Sequence, residues 1–248
     1  MINIKTKQEL ALMREAGKIV ARVLQEMEEN ARPGVATGQL NKKAESLIRR
    51  EGGEPAFLGY HGFPASICVS INEELVHGIP GVRRLQEGDI VSIDVGVYYR
   101  GFCGDAARTF PVGSISPEAS RLLEVTNQSL QKAIEQVHSG NFLSDVSHAV
   151  QSYVEAQNFA VVRNYVGHGI GRNMHEEPQV PNFGPPGKGP RLQEGMTLAI
   201  EPMVNQGTWE VEVLEDDWTV VTADRFLCAH FENTVAVTEN GPDVLTVL

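Results

Sequence analysis

The chain has 248 residues, of which 42% are hydrophobic, and a formal net charge of −11 at pH 7. This length provides a substantial core for one large domain or two small ones. The excess of acidic residues disfavours a general nucleic-acid binder, which would be basic. The charged N-terminus does not resemble a secretion signal, and no apolar stretch approaches the length of a membrane span.

The three cysteines, Cys68, Cys103 and Cys228, do not have the spacing of a metal-binding motif. An odd number of cysteines without such spacing is typical of a reducing compartment, where structural disulfides do not form. We therefore expect a cytoplasmic protein that does not bind membranes. No extended surface pattern suggests a stable partner, so a monomer is expected.

Hydrophobic periodicity and capping residues predict two pairs of helices, each pair followed by strands. The helices are predicted over residues 6–32, 37–52, 116–140 and 144–153, with Thr6 and Ser144 among the capping residues. Residues 178–190, rich in Pro, Gly and Asn, are expected to form a loop. The strands are predicted near residues 66–71, 160–166, 195–204, 209–214 and 226–238, with two further strands within residues 88–105.

Residues 88–105 are typical of a β-hairpin with Arg100 in its two-residue turn. In the resulting register Asp94 and Asp105 are diagonal neighbours on one face, and Gly96 leaves open space beside them. Two carboxylates this close in a sheet interior stay ionised only with a cation between them. The alternative is a solvated hairpin with two surface aspartates, which the apolar residues of the first strand disfavour.

The sequence around Asp94 recurs later in the chain, which indicates an internal duplication. Residues 85–94 align without gaps with residues 192–201, and both segments begin with Leu-Gln-Glu-Gly and end with Ile and an acid. Residues 76–79, which include His77, are also similar to residues 167–170, which include His168. Two halves related by an approximate twofold axis would each bring an acid to a shared centre, in an α+β or α/β domain.

Four carboxylates and one imidazole are therefore candidate ligands of a metal centre. Oxygen and nitrogen donors without thiolate favour Mn, Fe, Co or Zn, and four negative charges favour two ions over one. Glu201 could instead end its strand in solvent, and Glu232 could lie on either face of its strand. The glycines on both sides of His168 favour a close backbone approach over simple core packing. The candidate ligands are Asp94, Asp105, His168, Glu201 and Glu232.

Two further histidines, His77 and His175, have no evident structural role. A neutral histidine beside such a centre can donate a hydrogen bond to a substrate carbonyl and stabilise the developing oxyanion. The alternative for each is an ordinary surface histidine.

Short motifs spread over nearly the whole chain resemble those of the type I methionine aminopeptidases, which have the pita-bread fold. The resemblance implies a single α+β catalytic domain over residues 1–248. In this fold two pseudo-symmetric halves, about 1–112 and 113–248, surround a curved and mostly antiparallel sheet with helices on its outer face. The motifs are Gly59–Pro64, Val76–Pro80, Asp89–Asp94, Gly101–Asp105, Gly167–Arg172, His175–Pro178, Ile200–Pro202 and Phe231–Glu232.

The resemblance also implies roles for individual residues. The five candidate ligands above would hold two divalent ions, and Glu201 would in addition carry protons. His77 and His175 would contact the scissile peptide as catalytic residues. The side chains that would bind substrate, including its methionine, are His77, His175, Tyr60, Phe63, Cys68, Trp218, Phe57 and Met174.

The implied reaction is hydrolysis of the first peptide bond of a new protein that begins with methionine and has a small second residue. The partners would be the N-termini of nascent chains, with transient contact to the ribosome. Because Ile2 is large, we expect the chain to keep its own Met1. The alternatives are a prolidase or aminopeptidase P, which carry an extra N-terminal domain, and a non-catalytic binding module. The helical insertion of the type II enzymes has no room between His168 and Glu201.

Overall fold

The computed structural model describes residues 1–248 and contains four α-helices and fifteen strands. The helices are α1 Lys7–Asn30, α2 Thr37–Arg50, α3 Pro117–Ile134 and α4 Leu143–Ala156. The strands are β1 Glu54–Pro55, β2 Cys68–Ile71, β3 Glu74–Val76, β4 Ile90–Tyr99, β5 Phe102–Pro111, β6 Ala160–Val161, β7 Gly167–Gly169, β8 Glu176–Val180, β9 Thr197–Ile200, β10 Met203–Asn205, β11 Val211–Val213, β12 Val220–Thr222, β13 Cys228–His230, β14 Asn233–Thr238 and β15 Gly241–Val244.

All strand pairings are antiparallel, which confirms the predicted sheet type and the α+β class. Hydrogen bonding divides the strands into four sheets. The two largest sheets hold the hairpin β4–β5 and the order β15-β14-β9-β7-β8. None of the four helices combines the length and apolarity needed to cross a bilayer.

Each pair of helices covers its own apolar core. Side chains of α1 and α2 pack with those of β2, β4 and β5 in one cluster of 21 buried residues. Side chains of α3 and α4 pack with those of β9 and β14 in another cluster of 23 buried residues. An isolated bridge precedes the second helix of each pair, joining Ala36 to Arg84 and Phe142 to Arg191. This repeated arrangement is what the predicted duplication requires, and the division near residue 112 stays a prediction.

Two of the long predicted strands are interrupted. The strand predicted over residues 195–204 splits into β9 and β10 at Glu201 and Pro202, because proline cannot donate a ladder hydrogen bond. The strand predicted over residues 226–238 splits into β13 and β14 around Glu232. Both breaks therefore fall at candidate ligands.

Several predicted boundaries are wrong. Helix α3 ends at Ile134 and does not reach residue 140, and the strand predicted over residues 160–166 is only the two residues of β6. Phe142, not Ser144, is the N-cap of α4, because the Asp145 carboxylate accepts a hydrogen bond from the Phe142 N–H at 2.8 Å. The expected loop over residues 178–190 begins inside β8, which runs to Val180.

Candidate metal centre

A cavity of about 250 Å³ lies between the two largest sheets and is lined by 14 residues. They include every site residue that the sequence predicts, together with His61, which it does not. The set combines acidic and histidine side chains with aromatic, Cys and Met side chains. The lining residues are Phe57, Tyr60, His61, Phe63, Cys68, His77, Asp94, Asp105, His168, Met174, His175, Glu201, Trp218 and Glu232.

The register of the β4–β5 hairpin confirms the predicted placement of the two aspartates. Asp94 pairs with Ala107, and Gly96 pairs with Asp105. Side chains alternate along each strand, so Asp94 and Asp105 project from the same face as diagonal neighbours. Both side chains line the cavity, so the alternative of a solvated hairpin is wrong.

The prediction that Gly96 leaves open space beside the aspartates is wrong. A Cβ atom at Gly96 would lie 2.6 Å from Cε1 of Phe57. The missing side chain thus makes room for the Phe57 ring, which in turn lines the cavity. Gly96 shapes the apolar wall of the cavity and does not leave room for an ion.

The glycines beside His168 allow its strand to lie unusually close to its neighbours. A Cβ atom at Gly167 would lie 2.3 Å from the Ala199 carbonyl oxygen, and one at Gly169 would lie 2.2 Å from the Glu177 carbonyl oxygen. The Nδ1 atom of His168 lies 2.8 Å from the Gly169 carbonyl oxygen. If Nδ1 donates this hydrogen bond, the lone pair of Nε2 is free to bind a metal.

Glu232 reaches the centre from the break between β13 and β14. Its backbone N–H donates to the Ala107 carbonyl at 2.9 Å, which joins this break to β5. The Thr234 hydroxyl accepts from the Asp105 N–H at 3.0 Å and donates to the Asp105 carbonyl at 2.8 Å. These hydrogen bonds join β5, which carries Asp105, to the segment that carries Glu232. The two acids are thereby held close together.

The acids at the centre repel one another and are shielded from water. Burial raises the pKa of Asp94 to about 7. Burial and the neighbouring carboxylates also raise the pKa of Asp105, Glu201 and Glu232 well above the usual range. Burial lowers the pKa of His168 to about 4, so its imidazole is neutral near pH 7. Four carboxyl groups with raised pKa values stay ionised near pH 7 only if a compensating positive charge lies between them.

Buried carboxylate oxygens without hydrogen-bond partners indicate where a positive ion would fit. One oxygen each of Asp94, Asp105 and Glu232 is buried without a hydrogen-bond partner. Ligand atoms of Asp105, His168 and Glu232 all lie within 4.8 Å of one another. Buried polar atoms in proteins are normally paired, and oxygen with imidazole donors suits a divalent ion. The residues present therefore fit a metal.

His175 lies beside the candidate ligands, directly before β8. Its ring centroid lies 4.2 Å from that of His168. The Tyr60 hydroxyl lies 2.9 Å from His175 Nδ1. If the phenol donates this hydrogen bond, neutral His175 carries its proton on Nε2 and can donate it to a substrate oxygen. Burial lowers the pKa of His175, which favours the neutral ring.

The opposite side of the cavity is apolar. Phe63 and Trp218 contact edge to face, with ring centroids 5.0 Å apart. His77 lies against Trp218 with a centroid distance of 6.4 Å, and burial lowers the pKa of His77 to about 4. Cys68 is buried at the same wall. Aromatic rings and a thiol suit a flexible thioether or another unbranched apolar side chain.

The sequence reasoning missed His61 and His230. His61 lines the cavity from the 3₁₀ turn Tyr60–Gly62. His230 is buried, and its Nε2 lies 3.8 Å from Glu201 Oε2. Its position two residues before Glu232 does not predict a shared face, because β13 ends at His230 and Glu232 lies in the break that follows.

Comparison with known proteins identifies the family. The model of metallopeptidase family M24 matches residues 11–239. The chain is 56% identical to methionine aminopeptidase 1 of Bacillus subtilis, covering 99% of both chains, and 45% identical to the methionine aminopeptidase of Escherichia coli, covering 99% and 94%. The chain therefore belongs to metallopeptidase family M24, a class of metal-dependent hydrolases.

Solved structures agree with this assignment. A crystal structure of methionine aminopeptidase from Thermotoga maritima has a TM-score of 0.99, with 48% identity and complete coverage of both chains. The prolidase of Pyrococcus horikoshii has a TM-score of 0.79 at 24% identity, and the match covers 98% of this chain but 63% of the prolidase. This second similarity concerns the fold alone. The predicted family resemblance is confirmed, and the prolidase alternative is not favoured.

Proposed function

We propose that the protein is a methionyl aminopeptidase that removes the N-terminal methionine of nascent chains when the second residue is small. The observation that carries this proposal is the cavity itself, in which unpaired carboxylate oxygens lie beside an apolar pocket. The close relatives named above support the same activity. The acids would hold the ions needed for hydrolysis of the peptide bond, and the apolar pocket would bind the methionine thioether.

The residues that would hold divalent ions are Asp94, Asp105, His168, Glu201 and Glu232. Four carboxylates favour two ions, drawn from Mn, Fe, Co and Zn. When bound, such ions polarise the scissile carbonyl as Lewis acids and make water more acidic.

The remaining steps belong to the side chains. Glu201 takes the proton of the attacking water on its carboxylate and passes it to the leaving amine. His175 donates from Nε2 to the carbonyl oxygen and stabilises the negative charge that develops there. His77 contacts the substrate from the opposite wall, beside Trp218. The pocket between Phe63, Trp218 and Cys68 orients the methionine and excludes water from it.

The proposed substrate also suggests the partners and the compartment of the protein. The partners are the free N-termini of new proteins, met during transient contact with the ribosome. A monomer in the cytoplasm, acting without nucleic-acid binding, suffices for this reaction.

The decisive test compares three peptides before and after chelation. We expect Met-Ala-Ser to be hydrolysed, Ala-Ala-Ser and a peptide with proline in the second position to be poor substrates, and EDTA to abolish the activity. Readdition of Mn²⁺ or Co²⁺ should restore it. Glu201→Gln is the matched variant, because it keeps the side-chain size and removes the carboxylate that would carry the proton and hold an ion. Preferred cleavage before proline, or full activity of Glu201→Gln, would contradict the proposal.

A further inference from the structure

The imidazole of His230 is buried beside the candidate centre with no partner of its own. His230 is 2% exposed and ends strand β13. Its Nε2 atom forms no hydrogen bond. A buried polar atom without a partner costs free energy, and such an atom next to a reactive site suggests a function.

The backbone of His230 is held on both sides by neighbouring segments. The His230 N–H donates to the Thr109 hydroxyl at 3.0 Å, and the His230 carbonyl accepts from the same hydroxyl at 2.9 Å. On its other side His230 pairs with Met203 of β10. The ring thus belongs to a strand held from both sides, and its approach to the centre is not a loose surface arrangement.

The carboxylate of Glu201 lies between two imidazoles. Its Oε1 is 3.7 Å from His168 Nε2, and its Oε2 is 3.8 Å from His230 Nε2. The two rings differ in their second nitrogen, because His168 Nδ1 is engaged with the Gly169 carbonyl. His168 therefore suits metal binding through Nε2. His230 has no such backbone partner to set its tautomer, so its Nε2 can carry the proton.

We propose that His230 is a positioning residue that donates a hydrogen bond from Nε2 to Glu201 Oε2 and so holds this carboxylate in its working orientation. The proposal rests on the function proposed above for Glu201. The gap of 3.8 Å shortens to hydrogen-bond length if the Glu201 carboxylate shifts by about 1 Å. The backbone stays fixed during this shift, because Asn182 Nδ2 donates to the Glu201 carbonyl at 2.8 Å.

The consequence is measurable apart from catalysis. Partners that hydrogen-bond a ligating carboxylate orient it, and their loss typically costs about 10–100-fold in metal affinity or activity. Without the donor, Glu201 turns more freely, so the affinity for Mn²⁺ and kcat should both fall. KM should change little, because the apolar pocket formed by Phe63 and Trp218 is not altered.

Three substitutions separate a hydrogen bond from simple space filling. His230→Gln places an amide nitrogen near the position of Nε2, whereas His230→Asn places it near Nδ1. His230→Leu keeps the volume but has no donor. His148→Leu is the control, since His148 is an exposed histidine of α4 that does not line the cavity. Each protein is tested for folding by circular dichroism, for Mn²⁺ affinity by isothermal titration calorimetry, for the absorption spectrum with Co²⁺, and for kcat and KM on Met-Ala-Ser.

We expect His230→Leu and His230→Asn to lose about 10–100-fold in Mn²⁺ affinity and in kcat. His230→Gln should recover most of both losses with a Co²⁺ spectrum like that of the wild type. Unchanged affinity and kcat in folded His230→Leu or His230→Asn would overturn the proposal. Failure of His230→Gln to restore them would also overturn it, and an altered Co²⁺ spectrum in that variant would identify His230 as a direct ligand instead. If the wild type does not cleave Met-Ala-Ser, the proposed function fails, and the Mn²⁺ affinities still test the role of His230.

Discussion

Lys5 Nζ and Glu176 Oε2 form an ion pair 2.7 Å long in which the two side chains are only 4% and 3% exposed. Glu176 also accepts from Asn3 Nδ2 at 3.1 Å and from the Asn173 N–H at 3.2 Å. The pair ties the N-terminal segment to Glu176, the first residue of β8. His175 directly precedes Glu176, so the pair supports a residue of the candidate centre.

We expect Lys5→Met to destabilise the protein by about 3 kcal/mol, because it leaves a buried carboxylate without its counter-ion. The free energy of unfolding in urea measures this effect. Lys18→Met is the control, since Lys18 pairs with Glu15 at 2.7 Å while both side chains are well exposed, at 37% and 50%. This control should cost no more than about 1 kcal/mol. Equal losses of unfolding free energy in the two variants would show that the buried pair stabilises the protein no more than the exposed one.

The same pair predicts a pH dependence of stability. Burial alone would raise the pKa of Glu176, but hydrogen bonds from Lys5, Asn3 and Asn173 outweigh it and hold the pKa below its usual 4.5. The folded protein therefore binds this proton more weakly than the unfolded chain does. The stabilisation is complete above about pH 4.5 and is lost as the pH falls further.

This dependence can be isolated with Glu176→Gln. The difference in free energy of unfolding between wild type and variant, measured with chelator present, should be largest near pH 7 and shrink below about pH 4.5. Titration of all other groups affects both proteins and cancels in the difference. A difference that stays constant down to about pH 3 would contradict the assigned cause.

The close contact between Gly96 and Phe57 predicts that adding one methyl group at Gly96 destabilises the protein. Gly96→Ala would push the Phe57 ring, because the new Cβ would lie 2.6 Å from its Cε1. We expect a loss of about 1–3 kcal/mol in stability and a raised KM for methionyl peptides. Unfolding in urea and steady-state kinetics measure the two effects.

Two further variants test the origin of that cost. Gly81→Ala is the control, because a Cβ at Gly81 would meet nothing within 4 Å. The double variant Gly96→Ala/Phe57→Leu should be more stable than the sum of the two single effects predicts, since the smaller side chain relieves the clash. Strict additivity would mean that the clash is not the cause.

The hydrogen bond between Tyr60 and His175 predicts a catalytic role for a phenol. Tyr60→Phe removes the hydroxyl that lies 2.9 Å from His175 Nδ1 and keeps the ring that lines the cavity. We expect kcat to fall about tenfold, which corresponds to about 1.4 kcal/mol, a typical value for one hydrogen bond. KM should change less. Tyr153→Phe, which alters a tyrosine outside the cavity, should have full activity, and an unchanged kcat in Tyr60→Phe would refute the role.

The hairpin could be predicted residue by residue because its turn is short. Arg100 adopts a positive φ of 48° beside Gly101, so a two-residue loop fixes the register of both strands. Local sequence therefore determined the positions of Asp94 and Asp105 relative to each other. Their surroundings were not local, which is why the ring that fills the space beside Gly96 could not be foreseen.

The other ligands were harder to place because their strands are interrupted. Glu201 lies after β9 and Glu232 after β13, and strand alternation fails to assign a face across such breaks. His230 was missed for a related reason, since its partner Glu201 lies on a different segment of the chain. The predicted cap of α4 is wrong because the Asp145 carboxylate accepts a hydrogen bond from the Phe142 N–H, which places the N-cap two residues before Ser144.

The reciprocal hydrogen bonds between the Thr234 hydroxyl and the Asp105 backbone join residues that lie 129 positions apart in the chain. Contacts of such long range form late in folding, after helices and hairpins are established. The centre is therefore a marker of completed folding. During refolding, recovery of Mn²⁺ binding should lag behind recovery of helical signal in circular dichroism, and an intermediate that contains only the β4–β5 hairpin should show no metal affinity.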